Sequence, residues 1–189
     1  LFMKTFLVLG AGTAGTMIAR KMANTLDSSQ WKVILVDKNT EHYYQPGFLF
    51  VPFGMYGKDD VVKPIKNFIA RNVEYVVSGV EQLEPAENKV TLANGRVINY
   101  DFMVIATGAE IRPEETEGLA GAGWRQNIFD FYTYEGAAAL NKSIERFESG
   151  RLVVNVVEMP IKCPVAPLEF LFQARSGKHS AFPKSPRDW

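Results

Sequence analysis

Short apolar runs alternate with glycine-rich turns and amphipathic stretches along the chain. Thr5 to Leu9 is an apolar run rich in strand formers, and Gly10-Ala11-Gly12-Thr13-Ala14-Gly15 follows it at once. From Gly15 the period becomes helical. Ile18, Met22 and Leu26 share one face with Ala19 and Ala23 beside them, and Arg20, Lys21 and Asn24 fall opposite. Lys32 to Val36 has the character of a second buried strand, and Asp37 ends it. Strand, glycine turn, helix, strand and acid occupy the length that a parallel β-α-β unit needs.

The stretch from His42 to Gly57 is a long loop rich in aromatic residues, Pro and Gly, a kind of loop that usually serves function. Asp59 or Asp60 then caps an expected helix with Val62, Ile65 and Ile69 on one face, Pro64 being tolerable only in its first turn. Val73 to Val77, Asn88 to Leu92 and Arg96 to Tyr100 read as short strands, the last two joined by an Asn94-Gly95 turn expected to be type I′. Phe102 to Ala106 reads as a buried strand closed by Thr107-Gly108-Ala109. Arg112 to Trp124 has the composition of a linker, Tyr134 to Phe147 the pattern of a helix, and Leu152 to Val157 that of one more strand. The tail from Gln173 contains no Val, Ile or Leu and is expected to lack order.

Composition narrows the possibilities. In 189 residues, 21 Lys and Arg balance 21 Asp and Glu, which argues against a strongly basic nucleic-acid binder. No apolar run reaches the ~18 residues of a membrane-spanning helix. No secretory signal peptide is visible, because Gly10, Gly12 and Gly15 interrupt the first apolar run. The expected location is therefore cytoplasmic, or peripheral at a membrane. The single cysteine, Cys163, leaves no disulfide within the chain and no cysteine-rich zinc site, and no metal is expected.

The glycine loop carries the first chemistry. In Gly10-x-Gly12-x-x-Gly15 the first glycine permits the tight turn and the second lets the backbone approach a pyrophosphate. The third lets helix and strand pack closely. Free N–H groups at the helix start, around Thr13 and Ala14, attract phosphate. Asp37 is placed to hydrogen-bond a ribose, which leaves NAD and FAD both open. Cys163 carries the second chemistry. Pro164 suits the first position of a helix, which would set the sulfur at a helix N-terminus beside Lys162, where thiolate is favoured.

Tyr43-Tyr44-Gln45-Pro46-Gly47-Phe48-Leu49-Phe50, the Thr107-Gly108 turn and Cys163-Pro164-x-x-Pro167-x-Glu169 together resemble the sulfide:quinone oxidoreductases, two-dinucleotide-domain flavoproteins. The resemblance runs from about Lys4 to Phe172. It implies an α/β, Rossmann-like FAD/NAD(P)-binding fold with a parallel sheet and a small antiparallel meander, the second domain truncated. The expected domains are 3–112 for FAD and 113–172 for the start of a second region carrying the redox cysteine. Residues 173–189 are expected to be disordered or an out-of-family tail. FAD is the implied cofactor, held by Gly10, Gly12, Thr13, Ala14, Gly15, Asp37, Lys38, Gln45, Pro46, Val80, Ala106, Thr107 and Gly108. Cys163 matches the first of the family's redox cysteine pair, and Glu169 matches a glutamate that handles protons.

The implied partners of the intact protein are sulfide and a quinone. Peripheral membrane association is expected only with the C-terminal half, where the partner cysteine also lies. The chain reads as a truncated product or a fragment, and its oligomeric state is left open. NADH-dependent relatives carry a second glycine fingerprint after the first strand of the second domain. None follows Leu152 to Val157, where Pro160 and Pro164 stand instead. A type-II NADH:quinone oxidoreductase relative and a non-catalytic remnant that binds nucleotide are the alternatives.

Overall fold

The computed structural model describes residues 2–176. In chain order the elements are β1 (Lys4–Leu9), α1 (Thr13–Thr25), β2 (Trp31–Asp37), β3 (Glu41–Tyr43), α2 (Lys58–Val61), β4 (Val62–Pro64), β5 (Val73–Val77), β6 (Val80–Glu84), β7 (Lys89–Leu92), β8 (Val97–Asn99), β9 (Phe102–Ile105), α3 (Tyr134–Ile144) and α4 (Ala166–Ser176). The chain divides into two units, Leu1–Tyr43 with Val62–Glu110, and Tyr44–Val61 with Ile111–Trp189.

The first unit is the Rossmann-like α/β fold. Its parallel sheet has the order β5-β2-β1-β9, and β6-β7-β8 form a separate antiparallel meander. The side-chain period of two sorts the central strands onto two cores. Leu7, Leu9, Ile34 and Val36 pack with Val90, Leu92, Ile98 and Tyr100 of the meander side. Val8, Val33 and Leu35 point the other way, toward Ala19 and Ala23 of α1. Those two alanines, rather than Ile18, Met22 and Leu26, are the buried centre of the helix face; the larger residues are partly buried around them. Small residues at 15, 19 and 23 let α1 lie close to the sheet.

Several elements depart from the sequence expectation. Val73–Val77 joins the parallel sheet beside β2, and the meander begins instead at Val80. The helix expected after Asp59 stops at Val61, and Val62–Pro64 pairs antiparallel with Glu41–Tyr43. Pro64 biases the residue before it out of the α region, so the helix cannot run through it. The Asn94-Gly95 turn is not type I′. Gly95 alone has positive φ, at 82°, and Leu92 N–H donates to the Arg96 carbonyl across a three-residue loop. Among the described residues strand β9 pairs only with β1 and forms the sheet edge, so Phe102 and Ile105 are 60% and 58% exposed rather than buried.

In the second unit, Leu49, Leu140, Ile144, Phe170 and Ala174 form the core, with Phe50, Phe53, Phe131, Leu152 and Val154 against it. Phe170 is 2% exposed and stacks on Phe131, with ring centroids 4.9 Å apart. Helix α3 starts at a built cap. The Thr133 hydroxyl accepts from Gly136 N–H, and Asp130 Oδ1 accepts from the N–H groups of Tyr132 and Thr133. Residues 152–157, expected as a strand, form no ladder, and Val153 is 69% exposed. No described strand lies beside the segment, and strand character without a partner leaves a chain merely extended. Helix α4 extends to Ser176, into the stretch expected to lack order, because Ala174 is buried in the core. The remainder of that tail, 177–189, lies outside the described residues.

Candidate functional site

The three loop glycines do three different jobs. Gly10 has φ +98°, and a Cβ there would stand 2.3 Å from the Ala106 carbonyl oxygen and 2.9 Å from the Thr107 Cα. The loop therefore passes directly over the end of β9. A Cβ on Gly15 would stand 1.7 Å from the Gly10 carbonyl oxygen, so only glycine lets α1 begin this close to the strand. Around Gly12, by contrast, a Cβ would meet nothing within 4 Å. The middle of the loop is the part that faces open space. Gly12 is the N-cap of the 13-residue α1 and makes no side-chain cap bond; the first turn of the helix holds no acid. Leading N–H groups of a helix have no intrahelical acceptor, and here no side chain caps them.

The acid at the end of β2 is fixed by backbone donors. Asp37 Oδ2 accepts from Ala11 N–H at 2.6 Å, and Oδ1 accepts from Asn39 N–H at 2.7 Å. Ser78 N–H donates to the Asp37 carbonyl, and the Tyr75 hydroxyl donates to the Asn39 carbonyl at 2.6 Å. Burial, and secondly the negative Asp37, push the Tyr75 phenol up from its ordinary pKa, so it stays a donor. Each carboxylate oxygen of Asp37 keeps a second acceptor site. Lys38 is exposed beside it, and Val80 opens β6, 42% exposed. Ala106 N–H continues the pairing of β9 by donating to the Leu9 carbonyl, and Gly108 turns with φ +76°. Gly10, Gly12, Thr13, Ala14, Gly15, Asp37, Lys38, Val80, Ala106, Thr107 and Gly108 all belong to the first unit.

Gln45, Pro46, Cys163 and Glu169 belong to the second unit. Lys162 Nζ donates to Gln45 Oε1, which joins the aromatic loop to the cysteine segment. Cys163 is exposed and adopts φ +58°, a left-handed conformation that costs a non-glycine residue roughly 1–2 kcal/mol. Its carbonyl accepts from Ala166 N–H, and helix α4 starts at Ala166 rather than at Pro164. Pro164 and Val165 form a turn, which sets the sulfur three residues ahead of the helix instead of on its first turn. Glu169 is exposed on the first turn of α4. Sequence reasoning missed Tyr132. Its hydroxyl is buried without a hydrogen-bond partner among the described residues. Burial, and secondly the electrostatic influence of nearby Cys163, push its pKa up.

Residues 4–155 match the family described as pyridine nucleotide-disulphide oxidoreductase. The chain belongs to this family. Its members are FAD-binding flavoproteins, and FAD is the cofactor of this domain. The chain is 26% identical over 167 residues to a mitochondrial sulfide:quinone oxidoreductase of Dictyostelium discoideum, covering 88% of this chain and 37% of that protein. To a type II NADH:quinone oxidoreductase of Staphylococcus haemolyticus it is 29% identical over 143 residues, covering 75% of this chain and 34% of the relative. Among solved structures, the sulfide:quinone oxidoreductase of Aquifex aeolicus superposes with a TM-score of 0.62 at 25% identity, covering 76% of this chain and 32% of that one. The chain thus spans about a third of the length of these relatives.

The residues present fit a dinucleotide. A loop whose middle glycine faces open space, an uncapped helix start and an acid with spare acceptor sites stand at the carboxyl ends of β1 and β2. That is also where the sheet order changes direction, between β2 and β9 on either side of β1.

Proposed function

We propose that the intact protein oxidises sulfide and passes the electrons through FAD to a quinone, with Cys163 as its sulfur-handling residue. One observation carries the reading. After residues 152–157, where an NADH-binding relative needs a glycine cradle, this chain places an exposed cysteine in a left-handed conformation. Strained, exposed non-glycine residues mark functional positions more often than chance. The similarity to sulfide:quinone oxidoreductases spans 88% of the chain and supports the same assignment.

In this reading Gly12, Thr13 and Ala14 offer backbone N–H groups to the pyrophosphate, and Asp37 accepts from the ribose. Thr107 and Gly108 close over the nucleotide, and Lys38 and Val80 flank it. Gln45 and Pro46 approach the flavin end. When bound, FAD supplies a two-electron acceptor. Cys163 forms a disulfide with a second cysteine, which must come from outside these 189 residues, because the chain has one. Hydrosulfide attacks the partner sulfur, which becomes a persulfide, and Cys163 leaves as thiolate. Glu169, on the turn after the cysteine, takes up or returns the proton of hydrosulfide.

The 29% identity to a type II NADH:quinone oxidoreductase favours a second reading, with NADH as electron donor. Anaerobic addition of each donor to the FAD-loaded intact protein separates the two. Sulfide is expected to bleach the flavin band and NADH to leave it unchanged, and Cys163→Ser is expected to abolish the response to sulfide. Bleaching by NADH alone selects the second reading. Bleaching by neither leaves a nucleotide-binding module without this redox role.

A further inference from the structure

One polar contact at the glycine loop is not required by the motif. His42 Nδ1 lies 3.3 Å from the Ala11 carbonyl oxygen. A carbonyl oxygen only accepts, so the contact is a hydrogen bond in the form of the ring that carries its proton on Nδ1. The ring is held in place from two sides. His42 pairs with Lys63 across β3 and β4, and its imidazole packs on Phe68 with centroids 4.5 Å apart. Asp37 meanwhile holds the N–H of the same Ala11 at 2.6 Å. Ala11 is therefore fixed at both its N–H and its C=O.

The consequence falls on the next residue. The Ala11 carbonyl and the Gly12 N–H belong to one planar trans peptide and point in opposite directions. A donor holding the carbonyl on one side aims the Gly12 N–H toward the other. Gly12 is the residue around which a Cβ would meet nothing within 4 Å. We propose that His42 is a positioning residue for the dinucleotide, which presets the Ala11–Gly12 peptide so that the Gly12 N–H meets a pyrophosphate oxygen. The proposal rests on the reading of the glycine loop as the FAD cradle. Its physical basis is preorganisation: a peptide already oriented does not have to be ordered when the ligand binds.

The test uses the 189-residue chain with FAD, ADP and adenosine as probes, followed by calorimetry and, for the weak ligand, by NMR titration. His42→Phe keeps a ring against Phe68 and removes the donor. It is expected to bind FAD and ADP about tenfold more weakly, the size of one lost hydrogen bond, and adenosine unchanged. His42→Asn, which returns an N–H near the place of Nδ1, is expected to recover most of the loss. His42→Leu repeats the first comparison with a smaller side chain, and ligand-free melting temperatures report whether either variant is misfolded. Equal ADP affinity in wild type and donor-less variants overturns the proposal. So does an equal loss for ADP and adenosine, which indicates a general packing defect. A wild-type chain that binds neither FAD nor ADP overturns the cradle reading itself, and the role of His42 with it.

Discussion

The glycine loop of the first unit rests on a sheet whose strand β1 is paired on both sides, with β2 and with β9. The cysteine segment of the second unit is preceded by residues 152–157, which have the sequence of a strand and no ladder. In the first case neighbours close in sequence complete the structure: β1, α1, β2 and Asp37 are contiguous, and β9 returns to close the loop over Ala106. In the second, only the start of 152–157 meets the core. Leu152 and Val154 are partly buried against it, whereas Val153, Val156 and Val157 are exposed. The comparison shows that a nucleotide cradle is a local property of the chain. A buried parallel strand depends on neighbours that its own sequence does not supply.

Perturbing each region sharpens that contrast. The largest effect is expected in the second unit, where Phe170→Ala removes a ring stacked on Phe131 and packed on Phe53. A loss of about 3–5 kcal/mol is expected, enough to unfold that unit in a urea titration read by near-UV circular dichroism. A cooperative loss of the first unit at the same urea concentration would break the description of two units. In the cradle, Gly15→Ala places a methyl against backbone, not against a flexible side chain. Overpacking of that kind is expected to cost about 3 kcal/mol in a thermal melt, and a neutral result contradicts the close approach of α1.

How much of this was legible in advance differs between the two regions for a physical reason. The spacing of Gly10, Gly12 and Gly15 and the position of Asp37 follow from a single β-α-β unit, and the structure places a tight turn at Gly10, the close approach of α1 at Gly15 and Asp37 against the Ala11 N–H. The helix start before Ala166 was misplaced because proline tolerates several turn conformations, and only tertiary packing chooses among them. His42 carried no local signal, since its partner Ala11 is 31 positions away. Tyr132 looked like one aromatic among many. Only the burial of its hydroxyl, and its nearness to Cys163, single it out. The exposed β9 edge was misread because a continuous apolar run does not report whether its strand has one neighbour or two.

Smaller effects refine the account. Thr133→Ala deletes the cap of α3 and is expected to cost about 1 kcal/mol, read as a lowered melting temperature. The Glu74 carboxyl is held below its ordinary pKa by the hydrogen bond from Arg96, with Lys32 adding to it and burial opposing. A lowered folded-state pKa stabilises the fold above the unfolded value of about 4.5, and the contribution is lost as pH falls through the folded value. Glu74→Gln is expected to flatten stability against pH below that point by less than about 1 kcal/mol, because the pair is partly exposed. A variant that leaves the acid limb of the curve unchanged shows that this pair contributes nothing to it.

On the proposed reading, the glycine loop of the first unit cradles the FAD pyrophosphate, with its middle glycine facing the ligand. Titration of FAD into the wild-type chain and into Gly12→Val tests it most directly. Gly12 has φ −69° and open surroundings, so valine fits the fold. The expected result is a ligand-free melting temperature lowered by only a few degrees, because valine caps a helix less well than glycine, and FAD binding weakened at least about a hundredfold, the loss of two or more pyrophosphate hydrogen bonds. Equal FAD affinity in the two proteins would contradict the claim.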